Sequence, residues 1–240
     1  MLQYAERMFN AVSTFESLST QKDVTDKLAT ILSSFGYSAF LIANVPEPPL
    51  RLEPYILLNG WPKGWSEHYS KSDYYKFDPV ATWCRKSIDP FEWSEVPYPR
   101  GMNSRAEEVM NVARDFGMIE GFLVPIVRSS GFHACVTMAG QSVDLDPSAK
   151  RVVHVISMFA HARISALGGS KAHDPVALTS TEREILSWTA AGKSSWEIAQ
   201  ILNIAKSTVD TLANRAAKKL DAVNRTQAVV NAIRGQHISV

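Results

Sequence analysis

The chain lacks the features that mark membrane, secreted and metal-binding proteins. Its 240 residues contain no uninterrupted run of about 18 apolar residues, so no transmembrane helix is expected. The N-terminal stretch carries Glu6 and Arg7 within an amphipathic pattern, which predicts a helix rather than a secretory signal. Only two cysteines occur, Cys84 and Cys135, and they form neither a metal-site spacing nor a disulfide framework. We expect both to be free, buried thiols in a reducing cytosol.

Sequence patterns of catalytic and cofactor sites are missing as well. The chain has no G-x-S-x-G elbow and no glycine-rich phosphate loop, and its six histidines show no metal-ligand motif. No nucleophile stands in a recognisable pairing with a general base. We therefore predict that the protein is not an enzyme, that it binds no metal and that it needs no cofactor.

A strong charge of one sign is also lacking, since the net charge is only +1. Residues 193–234 nevertheless hold seven basic and three acidic residues, a surplus of four positive charges. A local positive field of this kind fits contacts with nucleic-acid phosphates. Many solvated helices carry a similar surplus, so the charge supports nucleic-acid binding only together with other observations.

The chain does contain a helix-turn-helix pattern in residues 195–214. The inner apolar stripes of its two short helices are Ile198, Ala199 and Leu202, then Val209 and Leu212, with Ile204 in the turn. A steep helix crossing needs a small residue such as Ala199, and the turn needs a residue that tolerates positive φ, as Asn203 does. Because such pairs place their second helix in the major groove of DNA, we predict a DNA-binding regulator.

A stretch rich in glycine and small polar residues, SALGGSKAHDPVA, divides the chain. It follows a long amphipathic helix and precedes the helix-turn-helix pattern. We therefore predict a sensing or assembly domain in residues 1–165, a linker in residues 166–176 and a DNA-binding domain in residues 177–240.

The small domain is predicted to contain four helices, each preceded by a capping sequence. In a capping box the first side chain accepts a hydrogen bond from the N3 amide, and the acidic side chain accepts one from the N-cap amide. The pairs are Thr179 with Glu182, Ser194 with Glu197, Ser207 with Asp210 and, less strictly, Asn224 with Gln227. Gly192 is expected to end the first helix.

The large domain mixes predicted helices and strands. Helical periodicity occurs in residues 3–17, 21–35, 103–116 and 147–166. Strand patterns occur in residues 38–45, 52–58, 121–127 and 132–139, the last two joined as a hairpin by residues 128–131. Helices flanking an antiparallel sheet give an α/β/α sandwich, so the whole chain is of the α+β class. Such an architecture is suited to enclosing a small molecule.

The middle of the large domain is crowded with aromatic side chains. They are Trp61, Trp65, Tyr69, Tyr74, Tyr75, Phe77, Trp83, Phe91 and Trp93. One interpretation is a tryptophan-rich core, and the other is an aromatic-walled ligand pocket. Asp78-Pro79, within this segment, is typical of a helix start. A carboxylate among apolar residues also needs a polar partner, which a ligand N–H could supply, so both roles stay open.

Together these residues resemble the LuxR-type quorum-sensing regulators over nearly the whole chain. The resemblance rests on Trp65, Tyr69, Asp78-Pro79, Trp93 and Gly121 in the large domain, and on Glu182, Leu186 and Gly192 in the small one. The stretches LTSTEREILSW, AAGKSSWEIAQIL and NRTQAVVNAI are close to the C-terminal pattern of that family. The resemblance implies a cytoplasmic bacterial regulator that binds an N-acyl or N-aroyl homoserine lactone. It also implies a homodimer on double-stranded DNA at an inverted repeat, with RNA polymerase as a further partner.

The resemblance also implies roles for residues of the large domain. The Trp65 indole N–H would donate to the lactone carbonyl, and Asp78 would accept from the ligand amide N–H. Tyr69 and Trp93 would pack against the lactone ring and the acyl chain, with Thr137 near the first acyl carbons.

One position departs from the pattern of the family. Many relatives place a tyrosine four residues before the tryptophan that corresponds to Trp65, whereas this chain has Trp61 there. The indole can still donate a hydrogen bond, but its reach and volume differ. We hypothesise a pocket shaped for a short, branched or aromatic acyl group rather than a long straight chain.

In the small domain, the resemblance makes residues 207–220 the recognition helix. Ser207 and Thr208 would lie at its start, Asp210, Thr211, Asn214 and Arg215 on its outward face, and Lys206 and Lys218 near phosphates. The amides at the start of the Ser194 helix, together with Lys193, could hold another phosphate.

The mechanism that these inferences suggest is ligand-linked folding and dimerisation. The last helix, with Val229, Val230 and Ile233, fits either a dimer contact or a core. Two alternatives stay open: a related regulator that answers a non-lactone metabolite, and an enzyme fused to a DNA-binding unit. Trp65 and Asp78 argue against the first, and the missing nucleophile–base pair argues against the second.

Overall fold

The computed structural model describes residues 2–46, 48, 50–101, 104–127, 133–169, 178–235 and 237–238. The chain divides into two compact units, the first within residues 1–172 and the second chiefly residues 173–240. Each unit has apolar cores of its own. None of the helices within these described ranges is long and apolar enough to cross a membrane.

The first unit combines a β-sheet with helices. Its described helices are α1 (Leu2–Ser17), α2 (Gln21–Ser33), α3 (Trp65–Lys71), α4 (Pro79–Cys84), α5 (Arg105–Asp115) and α6 (Pro147–Ile164). Its described strands are β1 (Ala39–Asn44), β2 (Ile56–Gly60), β3 (Phe91–Glu92), β4 (Glu120–Val127) and β5 (His133–Gly140). The sheet is antiparallel, with the strand order β2-β1-β5-β4-β3.

Alternation along the central strands divides the side chains of the sheet between its two faces. Phe40 and Ile42 of β1 belong to one core, which also contains apolar side chains of α1, α2 and α6. Leu41 and Ala43 belong to the other core, with side chains of α3, α4 and α5. Every residue of β1 is buried because helices cover both faces of the sheet. The predicted α/β/α sandwich is therefore confirmed.

One predicted strand begins later than its sequence pattern suggested. Residues 52–58 start with a 3₁₀ turn, Glu53–Tyr55, and β2 begins only at Ile56. Pro54 explains the difference, because it has a fixed φ and no N–H to donate to a neighbouring strand. The short elements α3 and β3 were not predicted, since an element of two to seven residues contains too few repeats of a periodic pattern.

The strands β4 and β5 pair as the sequence predicted, from Glu120 opposite Gly140 to Val127 opposite His133. The predicted hairpin turn at residues 128–131 lies outside the described residues.

The last helix of the first unit, α6, continues beyond Ile164 as a π-helical turn, Ser165–Gly169. The rest of the predicted linker, residues 170–176, also lies outside the described residues.

The second unit contains the four predicted helices. They are α7 (Ser180–Ala190), α8 (Ser195–Leu202), α9 (Lys206–Lys219) and α10 (Arg225–Arg234). Ile198 and Ala199 of α8 pack with Val209 and Ala213 of α9 in one core. Asn203 has a φ of 51° between the two helices, so the predicted turn residue is confirmed. This pair of helices is the helix-turn-helix that the sequence indicated.

Two of the predicted capping boxes are confirmed, at Thr179–Glu182 and Ser194–Glu197. The predicted box at Ser207–Asp210 is wrong, because α9 begins at Lys206 after an N-cap residue, Ala205, that has no side-chain cap. The Ile204 N–H donates to the Ala199 carbonyl at 3.0 Å, and Ile204 packs in the core beside both helices. Because Ile204 is held by this hydrogen bond and this packing, α9 can begin before Ser207.

Two other predicted helix boundaries in the second unit are confirmed. Asn224 caps α10 by accepting a hydrogen bond from the Gln227 N–H at 2.8 Å. Gly192 follows the end of α7 with a φ of 82°, and the Lys193 N–H closes the turn on the Trp188 carbonyl at 3.0 Å. A residue with positive φ at this position is the common way for a helix to end.

Glu182 connects the start of α7 to the end of α9. Its side chain is fully buried, and its Oε2 accepts from the Thr179 N–H at 2.7 Å and from the Lys219 Nζ at 2.6 Å. Burial acts to raise the pKa of Glu182, but the Lys219 ammonium and the Thr179 amide outweigh it, so the pKa is lowered. The carboxylate therefore stays charged and holds the two helices together.

Replacing Glu182 with alanine should destabilise the second unit by about 2–3 kcal/mol, because the Thr179 amide and the Lys219 ammonium both lose their acceptor. Urea unfolding of the full-length protein, combined with amide hydrogen exchange in α7 and α9, measures the loss. Glu197→Ala is the matched control. Glu197 closes the same kind of box but is partly exposed beside Lys193, so its loss should cost less than the loss of Glu182. Equal losses of unfolding free energy in the two variants would contradict the role of Glu182 in holding α7 against α9.

Candidate functional site

A cavity lies in the first unit, on the sheet face that α3, α4 and α5 cover. Its empty volume, including its opening to solvent, is about 590 Å³. Its wall is largely apolar and includes Leu41, Val45, Leu52, Tyr75, Val80, Ala81, Met118, Leu123 and Cys135. The six predicted ligand contacts, Trp61, Trp65, Tyr69, Asp78, Trp93 and Thr137, all border this cavity.

Asp78 is the acidic residue on the cavity wall. Its Oδ1 accepts from the backbone N–H groups of Val80 at 2.8 Å and Ala81 at 3.2 Å, so it caps α4 as the Asp-Pro sequence predicted. Its Oδ2 accepts from the Tyr69 hydroxyl at 2.8 Å. The helix-start interpretation is therefore confirmed, and the same carboxylate also borders the cavity.

Burial controls the ionisation of this pair. Loss of solvent raises the pKa of the Asp78 carboxyl, and the hydrogen bonds from Tyr69, Ala81 and Val80 offset that rise only in part. Burial, reinforced by the Asp78 carboxylate, raises the pKa of Tyr69 well above its usual value, so its hydroxyl remains a donor. The Asp78 carboxylate can therefore be stabilised further by another donor in the cavity.

Trp65 begins α3, directly after Gly64. Gly64 has a φ of 86°, a left-handed conformation that glycine adopts without strain. The Trp65 ring is 3% exposed and packs against Phe116 at 5.3 Å and Tyr69 at 5.6 Å between ring centroids. Among the described residues, its indole N–H makes no hydrogen bond. The cavity wall thus holds a donor that the protein itself leaves available.

Trp61 lies between β2 and α3 and is half-buried. Its ring centroid is 5.1 Å from that of Tyr69 and 6.2 Å from that of Trp65, in a T-shaped contact with the latter. Its backbone N–H donates to the Asn59 Oδ1 at 3.0 Å, which fixes the chain at the end of β2. A large ring is therefore held against the two aromatic side chains of α3.

Trp93 and Thr137 meet across the sheet. The Trp93 indole N–H donates to the Thr137 Oγ1 at 3.2 Å. The Trp93 ring lies over Gly121 of β4, where any Cβ atom would overlap the ring. A glycine at position 121 is therefore required by this close approach, which gives a physical reason for its place in the sequence pattern.

Part of the cavity wall had no prediction from sequence. Val109, Met110 and Ala113 of α5 border the cavity, and so does Cys135 of β5. The amphipathic pattern of α5 indicated only that one of its faces is buried, without naming its neighbours. Cys135 and Cys84 are both buried and free, as expected.

Side chains at the start of α5 hold this helix against the segment after α3. The Tyr74 hydroxyl donates to the Glu108 Oε1 at 3.0 Å, and Arg105 forms an ion pair with Glu108 at 2.6 Å. Arg105 also donates to the Ser72 carbonyl at 2.8 Å and lies over the Tyr74 ring at 5.4 Å. These bonds position the α5 residues that close the cavity.

The predicted DNA-contacting residues of the second unit lie along α9 and at the start of α8. The exposed ones are Ser194, Lys206, Ser207, Thr208, Thr211, Asn214, Arg215 and Lys218, whereas Lys193 and Asp210 are half-buried. Glu197 accepts from the Ser194 N–H at 2.8 Å and pairs with Lys193 at 3.3 Å. The start of α8 therefore already has a carboxylate at one of its amides.

Arg225 has a different place from the other basic residues of the second unit. Its guanidinium donates to the Thr189 Oγ1 at 2.7 and 3.0 Å and to the Ser195 Oγ at 2.7 Å. It thus joins α7, α8 and α10. Its charge contributes to the basic surplus, but its donors are used within the fold.

Among the described residues, no group of three or more His, Cys, Asp or Glu side chains is arranged to hold a metal ion. The cavity wall combines the Asp78 carboxylate, the indole N–H groups of Trp61 and Trp65 and a wide aromatic surface.

Replacing Tyr69 with phenylalanine should destabilise the first unit by about 1–2 kcal/mol, because Asp78 loses a donor in an apolar surrounding. Thermal and urea unfolding of the full-length protein measure the change. Tyr37→Phe is the matched control, since the Tyr37 hydroxyl is buried without a hydrogen-bond partner among the described residues. Its removal should be neutral or stabilising. A loss in Tyr37→Phe as large as that in Tyr69→Phe would contradict the role of the Asp78 contact.

Two family models match the chain. The autoinducer binding domain matches residues 20–164, the part that contains the cavity. The model of bacterial regulatory proteins of the luxR family matches residues 176–232, the part that contains the helix-turn-helix.

Known proteins are similar to the chain over almost their whole length. The transcriptional activator protein BjaR1 of Bradyrhizobium diazoefficiens is 39% identical over 232 residues, which cover 95% of this chain and 96% of that protein. The quorum sensing-dependent transcriptional regulator RpaR of Rhodopseudomonas palustris is 36% identical, over 96% of this chain and 94% of that protein. The crystal structure of Escherichia coli SdiA has the same fold, with a TM-score of 0.68 at 21% identity, over 95% of this chain and 96% of that one. The relatives are transcriptional regulators and not enzymes. The chain therefore belongs to the LuxR family of autoinducer-binding transcriptional regulators.

Proposed function

We propose that this regulator binds an N-acyl or N-aroyl homoserine lactone in the cavity of its first unit and controls transcription as a homodimer on DNA. The observation that carries the proposal is the presence of Trp65 and Asp78 on one apolar wall. The first offers an indole N–H without a protein acceptor, and the second offers a carboxylate. An acyl homoserine lactone has a ring carbonyl for the donor and an amide N–H for the acceptor.

The roles of the surrounding residues follow from a ligand whose ring carbonyl faces Trp65 and whose amide N–H faces Asp78. The Tyr69 hydroxyl keeps the Asp78 carboxylate in place, while the rings of Tyr69 and Trp93 supply area for the lactone ring and the acyl chain. Thr137, which accepts from the Trp93 indole, lies near the first acyl carbons. One acceptor and one donor thus select the polar head, and aromatic surface binds the rest.

The acyl group that best suits the cavity is compact. Trp61 fills space next to Tyr69 and Trp65, where a smaller side chain would leave room for a longer or straighter chain. We therefore propose a short, branched or aromatic acyl group. The indole N–H of Trp61, which also borders the cavity, is proposed to donate to the carbonyl of the acyl amide.

Ligand binding is proposed to act through folding and dimerisation. The cavity is surrounded by core residues, so a ligand completes that core and stabilises the folded unit by about 4 kcal/mol at a thousandfold excess over Kd. The dimer would then present two α9 helices to an inverted repeat, with half-sites about one helical turn apart. Val230 on α10 is 38% exposed, and it supports a contact between second units.

The proposed function also includes domain boundaries and a location in the cell. We place the ligand-binding and dimerisation domain in residues 1–165, the linker in residues 166–176 and the DNA-binding domain in residues 177–240. A regulator of bacterial promoters acts in the cytoplasm, where its DNA target lies. RNA polymerase is a further partner for a transcription factor of this kind.

Trp65→Phe and Asp78→Asn should each weaken lactone binding about 10- to 100-fold. The first removes the indole donor, and the second puts an amide NH2 group where a carboxylate oxygen accepts hydrogen bonds. The measurement is calorimetric titration and thermal shift with N-butanoyl, N-(3-methylbutanoyl), N-benzoyl and N-dodecanoyl homoserine lactones. The wild type should be stabilised most by one of the three compact ligands. A larger stabilisation by the dodecanoyl lactone would contradict the compact pocket.

Two matched controls separate ligand contact from loss of stability. Trp83→Phe truncates another half-buried tryptophan of the same core that does not border the cavity. Asp146→Asn changes a second aspartate that caps a helix before a proline, far along the chain at α6. Both should bind lactone like the wild type. Octanoyl-rac-glycerol belongs in the panel because SdiA has been solved in complex with it; binding of that ester and of no lactone would favour a non-lactone signal.

On DNA, α9 would lie in the major groove. Thr211, Asn214 and Arg215 would face the bases together with Asp210, and Lys206 and Lys218 would meet phosphates. Ser207 and Thr208 lie in the first turn of α9, where hydroxyls and amides suit the DNA backbone. Lys193 and Ser194 would add a backbone contact from the start of α8, although Glu197 limits the attraction for phosphate there.

Arg215→Ala should weaken specific DNA binding about 5- to 100-fold, because an exposed guanidinium on the outward face of α9 is lost. The probe is an inverted-repeat DNA selected from a random-sequence pool by the wild-type protein with bound lactone, and the readout is fluorescence anisotropy over a salt series. Lys22→Ala, which removes a charge from α2 of the first unit, is the control and should bind normally. Unchanged affinity in Arg215→Ala would count against this docking of α9.

A further inference from the structure

A second cavity adjoins the proposed ligand cavity in the first unit. Its empty volume, including its opening, is about 830 Å³. Tyr98, Ile119 and Leu145 contribute apolar surface to it, and Arg100 and Arg114 contribute long side chains whose stems can lie along apolar groups. Glu92, Ser94 and Glu120 also line this cavity, so an apolar chain would lie along Tyr98, Ile119 and Leu145, with charged groups beside it.

Two residues, Trp93 and Met110, border both cavities. Trp93 is held in place, because its indole N–H donates to Thr137 and its ring rests on Gly121. Among the described residues, no such bond holds the side chain of Met110, which is unbranched, partly buried and located on α5. An unbranched thioether fills irregular space and adapts its shape more easily than a fixed ring does.

We infer that Met110 is the residue that limits the length of the acyl group, an inference that rests on the proposed lactone-binding function. Its side chain closes the ligand cavity toward the second cavity. A compact acyl group ends at Met110, whereas a long straight chain would have to pass it. Shortening Met110 joins the two cavities and lets the chain continue along Tyr98 and Leu145.

Val109 provides the matched comparison. It is adjacent to Met110 on α5 and is 3% exposed, but it borders only the first cavity. Val109→Ala therefore enlarges the ligand cavity without opening it toward the second one. If the wall between the two cavities limits the length of the acyl chain, Met110→Ala and Val109→Ala will differ in their relative affinities for long and short lactones. Both variants remove apolar atoms from the same helix.

The experiment measures the affinities of full-length wild type, Met110→Ala, Met110→Leu and Val109→Ala for N-butanoyl and N-dodecanoyl homoserine lactone by calorimetric titration. The ratio of dodecanoyl to butanoyl affinity should rise about tenfold or more in Met110→Ala, as expected when several methylenes gain a binding surface. The ratio should change less than about threefold in Met110→Leu, because leucine still separates the two cavities. It should also change less than about threefold in Val109→Ala, because Met110 itself is unchanged. Met110→Val, a smaller truncation, replaces the alanine variant if that variant does not fold.

The possible results separate this inference from the proposed function. Normal butanoyl binding with an unchanged ratio in Met110→Ala would overturn the role of Met110 alone. An equal rise in Met110→Ala and Val109→Ala would also overturn it, because extra volume anywhere in the cavity would then suffice. Failure of the wild type to bind any lactone would overturn the proposed function, and this inference with it.

Discussion

The partly buried carboxylate of Asp78, on the wall of an apolar cavity, is the constraint on which the first unit depends. A carboxylate in an apolar core is costly unless donors surround it, and here the donors are the amides that begin α4 and the hydroxyl of Tyr69. The same bonds that satisfy Asp78 therefore position α4 against α3. Burial still raises its pKa, and its Oδ2 accepts only the one hydrogen bond from Tyr69 among the described residues. Asp78 thus contributes to the stability of the first unit, and in the proposed function the same side chain recognises the ligand.

The second unit meets a similar constraint with Glu182, but without a cavity. One oxygen of its carboxylate accepts from both the Thr179 amide and the Lys219 ammonium, so the start of α7 is joined to the end of α9. Arg225 joins α7 to α8 in a comparable way through Thr189 and Ser195. The Glu182–Lys219 pair holds α9 against α7, while Arg215 and Lys218 of α9 remain exposed. A small core alone supplies little stability, and these bonds supplement it.

For a regulator of the LuxR family, the position of the cavity explains how a small molecule can control a DNA-binding protein. The aromatic side chains around the cavity belong to the core that covers one face of the sheet. A ligand that binds there adds contacts to the folded state and none to the unfolded chain, so binding and folding are linked. No catalytic group is needed for this effect. In the proposed function, signal specificity depends on how α5 and the segment around Trp61 close the cavity, whereas the helix-turn-helix is common to the family.

The amino-acid sequence by itself determined those features whose cause is local. The caps at Asp78, Thr179 and Ser194 and the left-handed turn at Asn203 depend on side chains within a few residues, and alternation along the strands predicted the sandwich. Ser207 shows the limit, because the start of α9 is decided by the packing of Ile204 and not by a capping pattern. Only the tertiary structure decided which residues share the cavity wall. Met110 reaches it because Arg105 and Glu108 fix α5 against a segment more than 30 residues away, through contacts that no periodicity in the sequence records.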